Sequence, residues 1–176
     1  MTSSADTRTP ATATVPPGPA STFFRLIRNP FKAGLYLFTN LPSAFFPGLH
    51  IAAADETRCA VTIPYRWFTR NPFRSTYFAC LSMAAEMSTG VLAMAHVYKH
   101  NPPVSMLVVH TEAAYFKKAT GLTRFICADG EAIKAAIHQA TTTGEATTIK
   151  ARSLGANANG EPIAEFFITW SFKVKK

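Results

Sequence analysis

Negative charge is what this chain has least of. Between Thr57 and Thr111 the only acidic residue is Glu86, and across 176 residues ten Asp and Glu face eighteen Lys and Arg, a formal charge of +8. Such a balance favours anionic partners, whether nucleic acid, a phosphorylated cofactor or an acidic membrane surface. No compact run of basic residues interleaved with stacking aromatics occurs, which argues against nucleic acid. Cysteine is also scarce. Cys59, Cys80 and Cys127 are odd in number and far apart, so neither a disulfide framework nor a CxxC zinc site is implied. They read as reduced, half-buried apolar residues in a reducing compartment, with a catalytic thiol as the less favoured alternative. His96 and His100 have the i, i+4 spacing of a metal pair but no third ligand nearby, and His50, His110 and His138 lack a partnered nucleophile such as GxSxG; no metal is expected. A secretory signal would need a continuous apolar segment near the start, and there is none. A cytoplasmic location follows as the expectation, with an organelle or a membrane surface as alternatives.

What is abundant is apolar surface: 48% of residues are hydrophobic and only 16% charged, enough for one folded domain with a substantial core. Residues 1–21, rich in Thr, Ala, Ser and Pro, read as a disordered lead. Residues 22–47 are aromatic and aliphatic with Arg25, Arg28 and Lys32 at helical spacing, while Pro30, Pro42 and Pro47 forbid one long helix. Two short amphipathic helices are expected there, packed on the protein's own core or lying on a partner or a membrane surface. The stretch 76–97 is long enough to cross a bilayer, but it carries a carboxylate and small polar residues and is read as a core helix. Strands are expected on either side of the polar corner Asp55-Glu56-Thr57, then at Val104–Thr111, Leu122–Ala128, Thr147–Ser153 and Ile163–Val174, the last two joined by a loop from Gly155 to Gly160. In the final strand Ala164, Phe166, Ile168, Trp170, Phe172 and Val174 share one face. Asp129–Ala140 fits a short helix or an extended run and is read as a strand break. A helix apolar on nearly every side must be wrapped, and a curved antiparallel sheet around one central helix achieves that: an α+β fold.

Glu86 lies inside that helix. An ionised carboxylate is expensive to bury without partners, so its position points either to chemistry or to a side chain reaching a rim or a buried hydroxyl. The stretch from Asn71 through Tyr77, Phe78 and Ala79 to Glu86 resembles the hotdog-fold thioesterase superfamily, in particular its PaaI-like and uncharacterised thioesterase-like branch. Members often carry an Asn before the helix, then His-Gly-Gly, then an acid seven residues after the second Gly. Here Tyr77, Phe78 and Ala79 hold the His-Gly-Gly positions. The segment from Ala113 to Gly121 also resembles the superfamily's strand-to-strand turn, and the likeness spans about residues 48–174.

The resemblance implies a hotdog fold over residues 48–176 and acyl-CoA or acyl-carrier thioester hydrolysis. Sites would form between protomers of a homodimer or dimer of dimers, and the only cofactor moiety would be the substrate's own coenzyme A. Glu86 would activate water, with Asn71 and Thr89 orienting water or substrate. Tyr77, Phe78, Ala79, Ser82 and Gly90 would contact the substrate, with the N–H groups of Phe78 and Ala79 as an oxyanion hole. Each has a plainer reading too. Asn71 starts a turn, and the Thr89 hydroxyl bonds back to its own helix. Arg66, Arg70, Arg74, Lys117 and Lys118 suit the phosphates of coenzyme A, and Phe- and Met-rich surroundings suit a hydrophobic acyl group. Two rival classes remain: a non-catalytic binder of acyl chains or lipids, and a membrane-peripheral protein working through residues 22–47.

Overall fold

The computed structural model describes residues 19–175. Three helices come first, and proline places two of their starts. Asn29 caps α2 (Pro30–Asn40) by accepting from the N–H groups of Phe31 and Lys32, with Pro30 at the first helical position. Pro42 likewise opens α3 (Pro42–Phe45). The two expected helices are therefore three. Because α1 (Pro19–Ile27) begins before residue 21, the boundary of the N-terminal lead moves back; the remainder of that expected disordered lead, residues 1–18, lies outside the described residues. Phe24, Leu37 and Ala44 bury the inner faces of these helices.

A six-stranded antiparallel sheet follows, formed by β1 (His50–Ala54), β2 (Cys59–Ile63), β3 (Val104–Tyr115), β4 (Thr123–Cys127), β5 (Thr147–Ala156) and β6 (Pro162–Val174) in the order β1-β2-β4-β5-β6-β3. It wraps the long helix α4 (Phe78–Val97), whose Leu81, Ala84, Ala85, Ser88 and Leu92 are buried. Ala84, Ala85 and Ser88 are small, which lets the strands approach the helix closely. The inner face of β6 is the one its alternation requires, with Ala164, Phe166, Ile168, Trp170 and Phe172 all buried. The hairpin between β5 and β6 is tighter than its sequence implies: Gly155 and Ala156 belong to β5 and pair with Ala164 and Pro162.

One polar contact is sealed in this core. Ser88 donates to the carbonyl of Ala85 and accepts from Ser153 Oγ on β5 at 2.8 Å, so both hydroxyls are satisfied and α4 is fixed in register against the sheet.

The stretch read as a strand break is instead a helix, α5 (Gly130–Thr143). Ile133, Ala136, Ile137 and Ala140 bury one stripe at i, i+3, i+4 and i+7, and Gly144 ends the helix in the left-handed conformation. Its first residue carries the docking. The Gly130 N–H donates to the carbonyl of Thr57 at 3.0 Å, and a methyl group on Gly130 would lie 2.7 Å from the Thr57 Cα and collide with the Glu56 carbonyl. Gly130→Ala is therefore expected to destabilise the fold by about 2 kcal/mol, the range of overpacked cores, read as a lower denaturation midpoint at unchanged slope.

Candidate functional site

The sheet does not close around α4. Its edge strands β1 and β3 leave a gap, and Ile51 from β1 and Met106 from β3 line the same cavity, about 150 Å³ in volume. Its floor is the Glu86–Met94 stretch of α4, and its roof is α1 and α2 through Phe23, Ile27 and Leu37, with Leu41 just past the end of α2. Glu86 is the only charged residue in this lining. A space of this size and apolarity suits a hydrocarbon group better than water.

Among the described residues no hydrogen bond or ion pair reaches the Glu86 carboxylate. Burial alone acts on it, and pushes the carboxyl above the usual carboxylate range. The bonds behind it hold the main chain of α4 and not the carboxylate. Thr89, fully buried, donates to the Glu86 carbonyl at 2.9 Å and accepts from the Trp170 indole N–H at 2.9 Å. Thr89 therefore serves the helix and Trp170; its proton is not directed at water or at the carboxylate. Gly90 gives the carboxylate its room: a methyl group there would lie 3.1 Å from Glu86 Oε1 and 3.3 Å from the Trp170 ring. Trp170 is the site residue that sequence reasoning assigned only to the core. Its alternation marks it as inward-facing, but nothing local shows that it stands beside an acid.

The remaining expected residues gather elsewhere. Asn71, Phe73, Tyr77, Phe78 and Lys118 line a second cavity of about 550 Å³ at the start of α4. Asn71 organises that loop: its Oδ1 accepts from the N–H groups of Phe73 and Ser75 and from Ser75 Oγ. Thr76 ties the same loop to the carbonyl of Ala119. The first-turn N–H groups of Phe78 and Ala79 have no partner among the described residues, as at any uncapped helix start. Tyr77 and Phe78 are exposed and meet edge to face at 4.8 Å. Ser82 is half-buried and lines neither cavity. Of the basic residues, Lys117 is paired with Glu161 at 2.6 Å, while Lys118 faces the second cavity and Arg70 and Arg74 flank Asn71 beside it.

Phe78 precedes Glu86 by eight residues on one helix, so their separation along the axis is about 12 Å. Within one chain the free N–H groups and the carboxylate cannot converge on a single carbonyl.

Other reactive groups stand apart. Cys59 and Cys127 are cross-strand partners with burial pushing both thiols up to about 12, and Cys80 is buried and raised too; none is suited to nucleophilic work. All three are fully rather than half buried. His100 donates from Nδ1 to the carbonyl of Pro102 at 2.9 Å, whereas His96 buries its Nε2 without a partner. The two do not share a ligand position, and no group of three potential metal ligands occurs among the described residues.

Residues 40–171 match the model of a family described as a domain of unknown function, DUF4442. No curated protein shows significant sequence similarity. Among solved structures, a Pseudomonas aeruginosa protein of unknown function, whose name adds "probable thioesterase", is 18% identical with a TM-score of 0.70, over 83% of this chain and 97% of that one. A Chlorobaculum tepidum protein of unknown function is 18% identical with a TM-score of 0.69, over 83% and 97%. A Haemophilus influenzae thioesterase is 12% identical with a TM-score of 0.56, over 81% and 90%. These likenesses show the fold: a hotdog, as the resemblance in sequence implies.

Because a raised carboxyl pKa favours the protonated form in the fold, Glu86 weakens stability as pH rises from the unfolded value through the folded one. Glu86→Gln should match the wild type at acidic pH and become the more stable protein towards neutrality. Denaturant titrations across that range check this; equal stabilities throughout would mean a well-solvated carboxylate.

Proposed function

The chain belongs to the DUF4442 family, and from that premise we propose that it is an acyl-thioester hydrolase acting on a hydrophobic acyl group, with Glu86 as general base. The observation that carries the reading is the unpartnered, half-buried Glu86 carboxylate in the wall of an apolar cavity. A base whose pKa is raised by burial binds a proton more readily than a solvated carboxylate, and apolar walls suit an acyl chain.

Since α4 separates its own N–H groups from Glu86 by about 12 Å, a working site takes them from a second copy of the chain. Among the described residues the outer edge of β3 is unpaired, and the strand exposes Leu107, Val109 and Tyr115, which suits a homodimer built along that edge. The thioester oxygen would accept from the Phe78 and Ala79 N–H groups of the partner copy. Glu86 takes a proton from water as its oxygen bonds to the carbonyl carbon. The carbon–sulfur bond then breaks, and the departing thiolate recovers the proton from Glu86. Lys118, Arg70 and Arg74 line the cavities at and beside the start of α4, and their charge suits the anionic end of an acyl-CoA or acyl-carrier substrate. Gly90 and Trp170 position the carboxylate.

A second reading has its own observation. Phe78 and Ala79 stand where the superfamily has two glycines, and their side chains keep a ligand carbonyl further from the backbone. A binder of acyl chains without turnover would tolerate that change.

Thiol release from acyl-CoA substrates of graded chain length separates the readings. Glu86→Gln should lower kcat by at least ~100-fold, and Gly90→Ala by about tenfold through displacement of the carboxylate. Full activity in Glu86→Gln would remove the assignment, while tight acyl binding without hydrolysis at every length would favour the binder. If Glu86 is the base, the rate of the wild type rises with pH through a midpoint above the ordinary carboxylate range, because only the ionised form takes a proton.

A further inference from the structure

The outer surface of the N-terminal helices carries a continuous aromatic face. Phe38 meets Phe45 at 5.2 Å between ring centroids, Phe45 meets Phe46 at 5.6 Å, Phe46 stacks on Phe68 at 6.2 Å, and Phe68 meets Trp67 at 6.2 Å. Three separate segments, α2, α3 and the turn Trp67–Thr69, bring these rings together, and their exposures run from 39% for Phe45 to 75% for Trp67. Phe31 and Leu35 extend the patch along α2, standing at i and i+4 with Phe38 at i+7, and are exposed as well. Burial accounts for the inner face of α2; among the described residues nothing covers this one.

Its charge is one-sided. From Pro19 to Ala54 the chain has Arg25, Arg28 and Lys32 and no acid, and from Arg58 to Ala85 it has Arg58, Arg66, Arg70 and Arg74 and again no acid. Arg66 and Arg70 flank the Trp67–Thr69 turn, and Lys32 lies beside Phe31 on α2. Among the described residues none of these three forms an ion pair. A two-fold contact between copies would set this face against itself and bring like charges together with no acid to relieve them. A surface of anionic headgroups over hydrocarbon has the complementary chemistry: it accepts aromatic rings at the headgroup boundary and attracts the cations around them.

We propose that this aromatic face docks the protein on an anionic lipid bilayer. The inference stands on surface geometry and charge and does not depend on hydrolysis. Its meaning for the cavity follows from α2, which turns Phe38 outward while Leu37 and Leu41 line the space in front of Glu86. A single helix thus separates the bilayer from the acyl cavity, so that a lipid-partitioned acyl group would reach the cavity past α2.

Flotation of the full chain with vesicles of phosphatidylcholine alone, or mixed with phosphatidylglycerol, tests the proposal. The protein should float with the anionic vesicles, less so as salt is added, and at least about tenfold less with phosphatidylcholine alone. A Phe46→Ser/Trp67→Ser pair and an Arg66→Glu/Arg70→Glu pair should each lower vesicle binding by at least about tenfold while the melting temperature holds, since all four side chains are exposed. Trp67 fluorescence should shift to the blue on vesicles, Trp170 being already buried. No flotation with anionic vesicles, or flotation that both pairs leave intact, overturns the proposal. So does an oligomer that the Phe46→Ser/Trp67→Ser pair dissociates, which would make the face a contact between proteins.

Discussion

Everything in this fold answers to α4, a helix with almost no polar side to give to water. A helix of that kind is stable only when neighbours cover it all round. Six antiparallel strands cover most of it but cannot meet, because the edges β1 and β3 stop on either side of the gap lined by Ile51 and Met106. The N-terminal helices fill that gap imperfectly, and the imperfection is the cavity. The site is thus a consequence of how the core is closed, not an addition to a finished core.

Placing a carboxylate at this junction sets its chemistry without any charged neighbour. The environment raises the affinity of Glu86 for a proton through loss of solvent alone, while the missing side chain at Gly90 leaves the group room beside the Trp170 ring. The arrangement separates two tasks. Desolvation sets the acid's strength, and packing sets its direction. The start of α4, with its free N–H groups and the loop organised by Asn71, lies too far along the same helix axis to serve the same carboxylate. Within the hydrolytic reading, that distance makes a second copy part of the machinery.

The sequence showed the wrapped helix, the lone acid and the alternation of β6, because each depends on local periodicity or on a charge out of place. It also pointed to the loop before α4, where Asn-Pro is a strong turn signal. It hid what depends on distant partners. α5 is hard to read although Ile133, Ala136, Ile137 and Ala140 have helical spacing, because Gly130 and the threonines at its end argue against a helix, and its docking on Thr57 is a long-range contact. The bond between Ser88 and Ser153 and the contact of Trp170 with Thr89 join residues 65 and 81 positions apart. Asn71 and Glu86, close in the chain, proved to line different cavities.

The family's shared region begins at residue 40, whereas α1 and nearly all of α2 precede it and supply the cavity's roof. Reactive group and container therefore come from different stretches of one chain: the acid lies within the matched region, and the roof that sizes the space before it lies mostly ahead of it. A change in α1 or α2 can thus reshape the room in front of Glu86 without touching the helix that carries the acid.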